Sequence, residues 1–65
     1  MIISENIKSL RTSCQISQTE LANLLDIDAS TVAKWESGAA VPRTEKLPEI
    51  AKALNCEIAD LFEEV

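Results

Sequence analysis

Apolar residues recur along this chain at the spacing of a helix, in about five separate blocks. In the first, Ile3, Ile7, Leu10 and Cys14 fall at i, i+4, i+7 and i+11, a single stripe that predicts a helix over about 3–14. Lys8 and Arg11 flank the stripe, and Arg11 lies near the helix end, where a cation complements the negative pole. Thr12, Ser13 and Gln15 break the pattern and predict a loop. The second block has the clearest boundary: Ser17 and Glu20 stand at capping-box spacing, with Ile16 and Leu21 at the two positions of a hydrophobic staple. Its core side is expected to carry Leu21, Ala22, Leu24 and Leu25. Its first turn leaves the N–H groups of Gln18 and Thr19 facing outward, an end that suits either a phosphate or plain water.

Asp26, Ile27 and Asp28 form a turn, in which Asp28 is a good N-cap for a third helix and Ile27 and Val32 again have staple spacing. From Ala29 onward, a wheel at about 100° per residue sets Val32 and Trp35 about 60° apart, with Ser30, Ala33, Lys34 and Ser37 on the opposite side. A helix with so narrow an apolar edge and so small and polar a far side is presented to something rather than buried. Gly38, the only glycine, sits where a left-handed residue ends the helix.

Ala39 to Pro42 make a connector, followed by Arg43. Leu47, Ile50, Ala51 and Leu54 then define a fourth amphipathic helix. Pro48 restricts its start, because proline is accepted only in a first turn, so the regular helix begins near Lys46 or Leu47 and Thr44 to Lys46 form a looser turn. Asn55 is the expected left-handed terminator. The last segment, Ile58 to about Glu63, is expected to return Ile58, Leu61 and Phe62 to the core; Glu57 is an indifferent cap for it. The pattern as a whole predicts an all-α fold, a compact bundle of about five short helices, within one domain spanning residues 1–65.

Composition narrows the function. Sixty-five residues, 46% apolar and 3% aromatic, allow one small core of Leu, Ile, Val and Ala, which favours helices over a sheet. No apolar run approaches the length of a bilayer span, and the opening MIISENIKSL lacks the basic and apolar regions of a secretory signal, so a cytoplasmic location is expected. Cys14 and Cys56 could pair in principle, but both fall on apolar stripes and are expected to be reduced core thiols. The absence of histidine rules out histidine-based catalysis. Two cysteines alone do not make a four-ligand zinc site, and no serine lies beside a plausible base. Neither an enzyme nor a cofactor is expected. The net charge of −5 opposes a bulk polyanion binder, yet net charge averages over all faces, and the placement of the few cations decides.

These residues fall into a familiar order: Gln18-x-x-Leu21-Ala22, Ile27 in the turn, Ser30-Thr31-Val32-x-x-Trp35-Glu36-x-Gly38, Pro42, Ile50-Ala51-x-Ala53-Leu54 and Leu61-Phe62. The pattern resembles the phage-repressor and Cro-type helix-turn-helix domain, also called the XRE family, and the resemblance runs from Ile3 to Phe62. It implies a lambda-repressor-like bundle whose helix-turn-helix proper covers about 18–36. The third helix would enter the major groove of double-stranded DNA while the second crosses the backbone. Position by position, it implies Ala29, Ser30, Ala33 and Lys34 as base-facing, and the wheel places three of these outward on its own account. Gln18 and Thr19 match phosphate-anchoring positions, Arg43 a loop that tracks the backbone or the minor groove, and Lys46 lies on the same side. The family also pairs an arginine at the end of the first helix with the glutamate after the third-helix aromatic, which implies a structural ion pair of Arg11 with Glu36.

The sequence departs from the family pattern in three places: Asp26 stands where a turn glycine is usual and must either adopt a left-handed conformation or reshape the turn, Glu57 where a serine cap is usual, and Lys34 is the only long charged reader. The implied function is a sequence-specific transcriptional regulator, expected to be a repressor, acting as a homodimer on two half-sites about one DNA turn apart, with Phe62 and Val65 as candidate partner contacts. The alternative for Phe62 is a place in its own core. The alternative for the whole chain, favoured by its net charge, is a protein-binding module of antitoxin or antirepressor-partner type using the acidic surface.

Overall fold

The computed structural model of the chain describes residues 2–64. Four α-helices, α1 (Ile2–Ser13), α2 (Gln18–Leu25), α3 (Ala29–Ser37) and α4 (Leu47–Ala53), are joined by short loops, with 3-10 helices at Thr44–Lys46 and Ile58–Phe62. The described residues contain no strand. The expected fifth helix is therefore a 3-10 helix, a form that is used in short pieces. No helix among the described residues is long and apolar enough to cross a membrane.

Helices this short are marginal in isolation, so the fold depends on the faces they bury. One core joins Ile3 and Ile7 of α1, Leu21, Ala22 and Leu25 of α2, Val32 and Trp35 of α3, Ile50, Ala51 and Leu54 at α4, and Leu61. The second helix packs on the third and the fourth, while α1 lies against α3 and the C-terminal 3-10 helix. Asn6, buried within α1, donates from its amide to the carbonyls of Leu61 (3.0 Å) and Glu63 (2.8 Å), tying the C-terminal segment to the first helix.

Every α-helix ends in a left-handed residue: Gln15 (φ 61°), Asp26 (φ 57°), Gly38 (φ 85°) and Asn55 (φ 56°). After α2, the Ile27 N–H reaches the Ala22 carbonyl at 3.0 Å and the Asp26 N–H reaches Asn23 at 3.2 Å, the double back-bond of a Schellman motif. The same pair of bonds closes α4, from Cys56 to Ala51 (2.9 Å) and from Asn55 to Lys52 (3.1 Å), and α1, from Ile16 to Arg11 (3.4 Å) and from Gln15 to Thr12 (3.0 Å). The aspartate at the usual turn glycine is thus accommodated without reshaping the turn. A Cβ on Gly38 would come no nearer than 3.9 Å to Ser4 Oγ, so backbone conformation rather than space calls for glycine there.

Several expectations need correction. Leu24 is 63% exposed: it lies about 110° around α2 from the centre of the arc formed by Leu21, Ala22 and Leu25, beyond what the neighbouring helices cover. Cys14 is exposed rather than core, because it lies past the end of α1, where the chain is already turning into the left-handed Gln15. Of the three C-terminal residues expected inside, only Leu61 is buried, and Ile58 and Phe62 are exposed. A five-residue 3-10 helix with three residues per turn offers one line of side chains to the core, and Phe62 is a third of a turn off it; Ile58 shares Leu61's line but stands one turn earlier, at the first residue of the helix. Glu57 makes no side-chain cap hydrogen bond, as expected of an indifferent cap; Asp60 supplies the cap instead, its carboxylate accepting from the Glu57 N–H at 2.9 Å. Val65 lies outside the described residues.

Candidate nucleic-acid interface

The second and third helices form the presented unit, joined by the turn at Asp26 to Asp28. Ser17 caps α2 in both directions: its Oγ accepts from the Glu20 N–H at 3.0 Å and its own N–H donates to Glu20 Oε1 at 2.8 Å. That reciprocal cap leaves the N–H groups of Gln18 and Thr19, which precede the first intrahelical bond, without helical acceptors. Asp28 occupies the N-cap position of α3 but makes no side-chain cap hydrogen bond.

Val32 (0% exposed) and Trp35 (4%) anchor α3 from beneath. Above them, Ser30, Lys34 and Ser37 are exposed and Ala33 is half-buried. Ala29 packs partly against the core, so it offers less surface than its neighbours on the same helix. The Lys34 side chain forms no ion pair among the described residues. At the far end, Ser37 Oγ donates to the Lys34 carbonyl at 3.2 Å and accepts from the Ala39 N–H at 3.3 Å, while the Ala40 N–H bonds the same carbonyl at 3.2 Å. The exit from α3 is thereby held in one direction.

The height of α3 is set from α1. Arg11 Nε donates to Glu36 Oε2 at 2.6 Å and Nη2 to Oε1 at 3.0 Å, a two-pronged contact, while Nη1 donates to the Ile16 carbonyl at 2.7 Å. The two side chains are only 11% and 4% exposed. Burial by itself pushes the Glu36 carboxyl up. The hydrogen bonds from Arg11 and Gln18 and the charges of Arg11 and Lys8 outweigh it, and the group ends below its ordinary value. The guanidinium is raised chiefly by its hydrogen bonds to Glu36.

Gln18 also has a partner within the fold. Its Nε2 donates to Glu36 Oε1 at 3.1 Å, so the side chain links the start of α2 to the end of α3 and leaves the backbone N–H as its clearest anion donor. Sequence spacing carried no sign of this bond, since it depends on how the two helices cross. Thr19 and Arg43 are exposed. Lys46 is half-buried, with Nζ 3.8 Å from the Glu49 carboxylate, a long, exposed pair that is weak in water and easily exchanged for another anion.

The helix-turn-helix family model matches residues 7–61. Among curated proteins, the HTH-type transcriptional activator BcrR of Enterococcus faecalis is 34% identical over 62 residues, covering 95% of this chain and 30% of that protein. The antitoxin PezA of Streptococcus pneumoniae is 30% identical over 63 residues, covering 97% of this chain and 40% of that protein. The chain thus spans well under half the length of these curated relatives. Among solved structures, the P22 c2 repressor in complex with a synthetic operator superposes with a TM-score of 0.88 at 25% identity, covering 97% of this chain and 96% of that one. A family match over most of the residues, on a fold whose buried and presented faces agree with it, settles the affiliation: this chain belongs to the helix-turn-helix family, of phage-repressor and Cro type.

Proposed function

We propose that residues 1–65 are the DNA-binding domain of a transcriptional regulator that lays α3 in the major groove of double-stranded DNA. The observation that carries this reading is the outward presentation of Ser30, Ala33 and Lys34 on a helix fixed from below by Val32 and Trp35. Lys34 is the long reader, suited to the acceptors of a guanine edge; Ala33, and Ala29 at the margin, offer apolar contact to a thymine methyl. The backbone N–H groups of Gln18 and Thr19, with Arg43 and Lys46, hold phosphates and set the register. Arg11 and Glu36 act as a structural pair that keeps the reading helix at its height.

About three phosphates neutralised per protomer is too little for specific binding by one copy, so the reading includes a homodimer on two half-sites, with a salt slope of about −5. The exposed Phe62 offers it an apolar contact. Whether the operator overlaps or precedes a promoter sets repression or activation. The reading assigns no catalytic step, cofactor or small-molecule ligand, and it places the protein in the cytoplasm, where its DNA is. Selection of bound sequences from a random duplex pool tests it: a palindromic consensus with half-sites about 10 base pairs apart is the expected result, and recovery of no enriched sequence overturns it.

A second reading, a protein-binding module, is favoured by the net charge of −5 and by the resemblance to a protein named as an antitoxin. Stoichiometric capture of a basic protein partner, together with no salt-sensitive DNA binding, would select it over the first.

A further inference from the structure

The chain has two cysteines, and the DNA-binding reading uses neither. Both thiols are free; Cys14 is exposed and Cys56 half-buried. They are 42 positions apart in sequence, yet Cys14 Sγ donates to the carbonyl of Leu54 at 3.3 Å. Leu54 precedes Cys56 by two residues, and the residue between them, Asn55, has a left-handed φ of 56°. The chain therefore folds back at this point, and the Cys56 N–H reaches the Ala51 carbonyl at 2.9 Å. Two trans peptide units span at most about 7.6 Å between Cα atoms, and a bent turn spans less, so the Cys14 thiol sits against the turn that carries Cys56. Burial pushes the Cys56 thiol up, as do the neighbouring Asp60, Cys14 and Glu57.

We propose that Cys14 and Cys56 form an oxidisable pair, which a small-molecule disulfide converts into an intramolecular bond that pins the turn between α1 and α2 to the end of α4. The exposed Cys14 reacts first: its thiolate attacks one sulfur of the small disulfide, forms a mixed disulfide and releases one small thiolate. Cys56 then gives its proton to solvent, and its thiolate attacks the Cys14 sulfur and expels the second small thiolate. Two protein thiols are oxidised to one disulfide, one small disulfide is reduced to two thiols, and no other reactant is needed. The half-buried Cys56, with its raised thiol, makes the second step the slower one. The closed loop holds all of α2, α3 and α4, so it restricts the unfolded chain more than the folded one. Neither cysteine lies on the outward side of α3, so DNA contact survives closure.

The test is incubation of the full chain with excess 2-hydroxyethyl disulfide, followed by intact-mass measurement and thermal unfolding without reductant. The expected wild-type product has lost two hydrogens, carries no adduct, and unfolds at least about 5 °C higher, with both changes reversed by a thiol reductant. Cys56→Ser should stop at the mixed adduct on Cys14 and show no such rise. An unchanged mass, two mixed adducts, disulfide-linked dimers, or an internal bond that lowers the unfolding temperature would each overturn the proposal.

Discussion

Arg11 and Glu36, 25 residues apart, meet with both guanidinium prongs on both carboxylate oxygens, at 2.6 and 3.0 Å, and join the end of the first helix to the end of the helix that faces outward. A charge buried to this degree is tolerated because its partner is present, so removing one side strands the other. Arg11→Ala and Glu36→Ala should each lower unfolding free energy by about 3 kcal/mol in urea titrations. Arg11→Lys should recover only part, because an ammonium cannot serve both oxygens and the Ile16 carbonyl in one geometry. An apolar double replacement should cost less than the two single losses added together.

The same pair sets a pH dependence. The Glu36 pKa is lower in the folded protein than in the unfolded chain, so the unfolded state binds the proton more readily as acid is added. The stability this contributes is present in full above the ordinary carboxylate pKa and is lost as pH falls through the lower, folded value. Thermal midpoints measured from neutral to strongly acidic pH should therefore decline on the acid side. The decline should be shallower in Glu36→Gln, which starts from a lower stability.

Three of the four helix ends place a side chain where glycine would be unstrained. Gln15→Gly should raise stability by roughly 1 kcal/mol, and Asp26→Gly and Asn55→Gly by less, because short Asp and Asn side chains already tolerate the left-handed region. Denaturant midpoints would rank the three. A loss on Gln15→Gly would mean that the glutamine side chain contributes something its backbone strain hides.

Lys34 separates base reading from phosphate binding. On the selected operator, Lys34→Ala should cost about 1–3 kcal/mol and relax preference at one base pair per half-site. Arg43→Ala should weaken all sequences alike and reduce the salt slope by about 1 per protomer. Anisotropy titrations at several salt concentrations, with matched and mismatched duplexes, distinguish the two patterns. Unaltered affinity in Lys34→Ala would remove it as a reader.

Helix positions and most caps were legible along the chain because they depend on neighbours within four residues. The Ser17 and Glu20 cap, the left-handed Gly38 and Asn55, the loose turn before Pro48, and the Val32 and Trp35 anchor all arise from local spacing and local sterics. At Asp26 the sequence leaves two outcomes open, a left-handed residue or a reshaped turn, and the structure takes the first, because a single left-handed aspartate costs little enough to keep the turn. Gln15 was missed for the converse reason: glutamine has no local preference for that region, and only the two back-bonds that close α1 hold it there.

What spacing could not decide was how far each apolar stripe is covered. Leu24, Cys14, Ile58 and Phe62 are apolar residues at helical spacing, yet neighbouring helices of seven to twelve residues shield only a narrow arc of each surface: Leu24 and Phe62 fall outside it, while Cys14 lies past the end of α1 and Ile58 at the first residue of the last helix. Nor could spacing pair Gln18 with Glu36, Asn6 with the Leu61 and Glu63 carbonyls, or the Cys14 thiol with the Leu54 carbonyl. Periodicity along one chain determines which side of a helix is apolar. Distances between helices are set by how those sides pack together, and the contacts made across the packed faces exist only once the helices have crossed.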